Sequence, residues 1–86
     1  MATRPELVEM CRELGIDWDE LSALQMKRAI RRIADKKFKS KKMQFSASKL
    51  SETLRKFLTL EYDYVILDQE GNQLDYRGNI IRKGVK

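Results

Sequence analysis

The chain of 86 residues has no histidine, one cysteine, one proline, one tryptophan and four glycines, and the scarcity of histidine, cysteine and glycine closes off several classes of chemistry. Without histidine there is no Ser-His or Cys-His pair and no imidazole general base. Cys11 alone cannot assemble a thiolate zinc site, so no metal and no cofactor is expected. A lone cysteine also forbids an internal disulfide, which fits a reducing, intracellular setting, cytoplasmic or nucleoid/nuclear. No apolar run approaches the roughly 20 residues that span a bilayer, and no charged-then-apolar leader opens the chain. A soluble protein with no membrane association is therefore expected. Glycine-rich phosphate loops and Gly-x-Ser-x-Gly elbows are missing as well. The expectation is a non-enzyme, the one enzymatic alternative being a histidine-free nuclease assembled from Arg77, Tyr76 and Glu61.

What the sequence does have is a segregated charge. Between Lys27 and Lys42 stand nine bases, Lys27, Arg28, Arg31, Arg32, Lys36, Lys37, Lys39, Lys41 and Lys42, against one acid, Asp35. The rest of the chain holds nine bases and twelve acids. Such a cluster repels itself and is offset only by a polyanion or an acidic partner. Charge placed for solubility alone mixes its signs, and this run does not.

Length predicts one domain over 1–86, of class α+β: three helices followed by a small antiparallel hairpin or three-stranded meander. Thr3 with Glu6 is a capping-box pattern, Pro5 suits a first turn, and Leu7, Met10, Cys11 and Leu14 recur at helical spacing up to Gly15. The first helix is thus expected over about 4–14, with Cys11 a packed thiol on its apolar stripe. Ile16 to Leu21 reads as a connector anchored by Trp18. Ser22 and Gln25 make a second capping box, flanked by Leu21 and Met26 as a hydrophobic staple. The second helix, about 22–39, puts Ala23, Met26, Ala29, Ile30, Ile33 and Ala34 on one arc and the bases on the other. Lys37 falls on the apolar arc. Either its stem snorkels over the core edge, or the packed part ends a turn early and leaves Lys37 to Lys42 as a basic extension plugged by Phe38, the reading preferred here. A third helix is expected over about 47–59, capped by Ser46 between Phe45 and Leu50. Its core stripe is Leu50, Leu54, Phe57 and Leu58, and its outer face carries Lys49, Arg55 and Lys56, with Glu52 and Lys56 as an i,i+4 pair.

From Tyr62 the texture turns aromatic and β-branched, which favours strands over about 62–68, 73–76 and 79–82, a β-meander within about 62–82. Asp68, Gly71, Asn72 and Leu74 recur seven residues later as Asp75, Gly78, Asn79 and Ile81. An Asp three residues before a Gly suits a type I turn closed by glycine at positive φ. Calcium is the other reading of the repeat, but the alternating ligands of an EF-hand loop are not there.

The expected function is nucleic-acid binding, to DNA or RNA and with a regulatory role, through Lys27, Arg28, Arg31, Arg32, Lys36, Lys37, Lys39, Lys41 and Lys42. Lys49, Arg55 and Lys56 form a secondary surface. Lysines and arginines release counterions from phosphate, and guanidinium adds planar, bidentate donors. The alternative is a protein–protein interaction adaptor or regulatory subunit that docks an acidic protein partner on the same face, anchored by Phe38, Met43 or a tyrosine among Tyr62, Tyr64 and Tyr76. Leu7, Cys11, Leu14, Gly15 and Ile16, with Ile30, Arg32 and Ile33 later, resemble the SAP-type helix-loop-helix motif, though with a longer loop and no second glycine. Three helices and a hairpin resemble the winged-helix order, with a longer and more basic connection at Ser40 to Phe45. No residue role is carried over from either resemblance.

Overall fold

A computed structural model describes residues 2–45 and 50–84. The class is α+β; among the described residues there are three α-helices and a four-stranded mixed sheet. Length predicts one domain over 1–86; the contacts divide the chain into two compact units, 1–37 and 38–86.

The first unit is a helical pair, α1 (Arg4–Leu14) packed against α2 (Ala23–Lys37). At the start of α1 the Glu6 carboxylate accepts from both the backbone N–H and the hydroxyl of Thr3, at 3.0 Å each. Gly15 ends the helix at φ 73°, where its N–H and that of Ile16 reach the carbonyls of Arg12 and Cys11. The Ser22 and Gln25 capping box forms in both directions, at 2.8 and 3.2 Å. Between the helices Trp18 is half-buried beneath the Arg12 guanidinium, 5.5 Å from the ring centroid. Leu7, Met10 and Cys11 of α1 and Met26, Ile30 and Ala34 of α2 are buried. Each large apolar side chain so buried contributes about 1.5–3 kcal/mol, enough to hold the polar faces of both helices outward. Burial pushes the Cys11 thiol up from its ordinary value, in keeping with a packed, unreactive side chain.

The second helix ends at Lys37, two residues before the expected boundary. Phe38 leaves helical geometry at φ −121° and ψ 88°. Its ring meets Tyr64 edge-on, with centroids 6.5 Å apart, and this contact replaces another helical turn.

The second unit opens with a 3₁₀ turn, Lys39–Lys41, in which Ser40 and Lys41 both have positive φ, 61° and 56°. The chain then enters β1 (Lys42–Gln44), where a loop was expected. This strand pairs parallel to β2 (Val65–Leu67), which pairs antiparallel to β3 (Gln73–Leu74), followed by β4 (Ile80–Arg82). The sheet is therefore mixed and four-stranded rather than a three-stranded meander. Register aligns Met43, Ile66 and Leu74, all buried, in one row across three strands.

Helix α3 (Glu52–Tyr62) begins later and runs further than the expected 47–59. Ser51 caps it, its hydroxyl accepting from Leu54 N–H at 3.2 Å. The proposed cap Ser46 lies outside the described residues. Tyr62 belongs to this helix and not to a strand, because its ring packs edge-on against Phe57 at 5.4 Å. Asp63 at φ 58° then stops the helix, while Tyr64 N–H returns to the Leu58 carbonyl at 3.1 Å. Leu50, Leu54, Phe57 and Leu58 are buried as their spacing predicts.

Both Asp-x-x-Gly turns form. Gly71 and Gly78, at φ 84° and 100°, donate to the carbonyls of Asp68 and Asp75 at 3.2 and 3.1 Å. Each aspartate accepts the N–H two and four residues on with one oxygen, at 2.9 Å, and the side chain of the following Asn with the other. These bonds hold both carboxyls below the usual carboxylate range, led by the Asn72 side chain for Asp68 and the Asn79 backbone for Asp75.

Candidate functional site

The basic residues of the first unit lie on α2 because Met26, Ile30 and Ala34 claim its other side. Arg28, Arg31, Arg32, Lys36 and Lys37 are exposed, and Lys27 is half-buried. Arg28, Arg32 and Lys36 are successive i,i+4 neighbours with Arg31 beside them, a ridge about 12 Å long at 1.5 Å per residue. Duplex DNA carries about seven phosphate charges over that length, so each cation can find its own. Arg31 also pairs with Asp35, Nε to Oδ2 at 3.7 Å. Both side chains are about half exposed, so the pair is a weak competitor for a phosphate. Lys36 and Lys37 complement the carbonyl end of the helix dipole as well.

In the second unit Lys39, Lys41 and Lys42 are exposed, on the 3₁₀ turn and the first position of β1. The expected secondary surface fares unevenly. Lys49 lies outside the described residues. Arg55 is a structural clamp: its Nε donates to the Tyr76 carbonyl at 2.9 Å, Nη1 donates to the Leu50 carbonyl, and the guanidinium sits 4.7 Å from the Phe45 ring centroid. Only Lys56 of the three is an exposed cation among the described residues. It lies over Tyr76, 5.7 Å from the ring centroid, and makes no ion pair with Glu52 among the described residues.

The apolar anchors of the adaptor reading are largely committed. Met43 is buried in the sheet, Tyr64 is buried, and Phe38 is half-buried against it. Tyr76 and Arg77 are together, with the guanidinium 5.5 Å from the ring centroid, but no hydrogen bond or ion pair among the described residues joins Glu61 to them. Two open clefts, one lined by Phe45, Asp68, Gln69 and Glu70 and the other by Asp17, Asp19, Glu20 and Leu21, are acidic and unsuited to a polyanion. No group of three metal-ligating side chains occurs among the described residues. Among them, too, no helix is long and apolar enough to cross a membrane.

The grouping of Lys56, Tyr76 and Arg77 was not anticipated from sequence. It depends on Arg55 holding the Tyr76 carbonyl, 21 residues further along the chain, and no spacing rule reaches that far. Compared with known protein families, curated proteins and solved structures, the chain matches none of them.

Proposed function

We propose that this chain is a small nucleic-acid-binding protein that grips phosphates of DNA or RNA through the outer face of α2. A regulatory role and an intracellular setting belong to the same proposal. The observation that carries it is the one-sided arc of Arg28, Arg31, Arg32 and Lys36, exposed on a helix whose opposite side is buried. A face anchored this way presents its cations without unfolding anything. Lys27, Lys37, Lys39, Lys41 and Lys42 extend the same charge along the sequence. Their contribution is electrostatic and reads no bases, so affinity without strong sequence preference is expected.

The test is a titration of the full chain against a duplex, a single strand and an RNA hairpin at several salt concentrations. Neutralising about four to six phosphates gives a slope of log K against log salt of roughly −4 to −5 on duplex DNA. Binding that ignores salt refutes the proposal. Binding that is confined to an acidic protein and lost on removing one apolar anchor moves the function to the adaptor.

A further inference from the structure

Tyr76 has two cations at its ring. It sits at the second position of the second Asp-x-x-Gly turn, half-buried, with Lys56 Nζ at 5.7 Å and the Arg77 guanidinium at 5.5 Å from its ring centroid. Its backbone is fixed from three sides. Arg55 Nε holds the Tyr76 carbonyl at 2.9 Å, Asp75 ties down the N–H groups of Arg77 and Asn79 at 2.9 Å each, and Gly78 lies directly against the Phe45 ring. The turn is therefore a rigid mount for an aromatic ring flanked by two cations.

The acids nearby in sequence do not neutralise that mount. Asp75 spends both oxygens on its own turn, and Glu52, one turn before Lys56 on α3, makes no ion pair with it among the described residues. Lys56 and Arg77 are both exposed, long and flexible, so either can leave the ring face at little cost. A ring that can stack a base, beside cations that can take the phosphates on either side of it, is the combination that binds single strands without reading sequence.

We propose that Tyr76 is a stacking platform for a nucleobase of single-stranded DNA or RNA, with Lys56 and Arg77 holding the adjoining phosphates. Duplexes keep their bases stacked on one another and offer no such face, so this site discriminates single strand from duplex. The proposal deepens the nucleic-acid reading of α2 and rests on it.

The experiment uses the full chain with a 12-nucleotide oligo-dT, the matching oligo-U and a 12-base-pair duplex, each fluorescein-labelled. Tyr76→Leu is expected to weaken binding of both single strands about ten-fold, the scale of one lost base stack, and to leave duplex binding within two-fold. Tyr76→Phe is expected to bind like the parent chain. Because Tyr76 is half-buried and its loss can disturb the turn, a second variant reads stacking directly. Trp18→Phe combined with Tyr76→Trp leaves one indole at the site, and its emission is expected to be quenched by the single strands and not by the duplex. An unquenched indole on saturation with single strand overturns the proposal, as does a Tyr76→Leu effect that is equal on strand and duplex. Intact, salt-dependent duplex binding alongside either result leaves the α2 reading standing; failure to bind any of the three probes removes both.

Discussion

Changing Arg28, Arg31, Arg32 and Lys36 together to Gln separates the work of the α2 face from its role in folding. All four side chains are exposed, and glutamine is nearly as good a helix former as arginine or lysine. The change gives up the Arg31–Asp35 pair, 3.7 Å long and half exposed, worth a few tenths of a kcal/mol. Relief of like-charge repulsion along the ridge offsets it. Stability is therefore expected to stay within about 0.5 kcal/mol of the parent chain, read from the urea midpoint by circular dichroism. Binding changes far more. Each phosphate contact contributes about 0.9 to the salt slope on B-DNA, so removing four flattens it by about 3.6. Across a four-fold rise in salt, a slope of that size lowers affinity roughly 150-fold, and the variant is expected to lose that dependence along with its tight low-salt binding. Fluorescence anisotropy on a duplex at 50 and 200 mM salt is a direct reading. A variant that binds the duplex with the parent's affinity and slope refutes the reasoning, because the ridge would then contribute nothing. One that unfolds would show that the ridge is held against acids of its own chain.

Arg55→Met is expected to destabilise the second unit by about 1.5–3 kcal/mol, since it strands the half-buried carbonyls of Leu50 and Tyr76 and removes the cation from Phe45; chemical denaturation should show this while duplex affinity stays within two-fold. Gly78→Ala should cost about 1–3 kcal/mol in a thermal melt, because φ is 100° and the added Cβ would stand 2.9 Å from Phe45 Cζ, whereas Gly71→Ala, equally left-handed but with open space around it, should cost less. Asp68 and Asp75 have lowered folded pKa values, so the stability they contribute is present above the ordinary carboxylate value near pH 4 and is lost as pH falls through the lowered values. The double variant Asp68→Asn, Asp75→Asn is accordingly expected to flatten the acid limb of the urea midpoint between about pH 2 and 5, and an unchanged acid limb would count against the turns as its source.

The features legible in the sequence are those whose causes lie within about one turn of chain. The Ser22 and Gln25 box, the Gly15 stop, the buried faces of α1 and α2 and the two Asp-x-x-Gly turns each follow from groups at most five residues apart, where covalent geometry already brings the partners together. The basic arc of α2 is legible for the same reason: a period of 3.6 residues sorts cations from apolar side chains before any tertiary contact forms. Tertiary structure decided the rest. Lys42–Met43–Gln44 carries little strand propensity by itself and becomes β1 only because its backbone pairs with Val65–Leu67, a parallel partner that no local turn announces. Tyr62 reads as strand from its type, but packing on Phe57 keeps it helical. Arg55 reads as a surface cation from its helical position, and only the arrival of Tyr76, Leu50 and Phe45 around its guanidinium makes it a clamp. Local bonds cost little chain entropy and so leave their mark in short patterns. Contacts between distant segments are chosen by how the whole unit buries its apolar surface, and a single sequence does not display that choice.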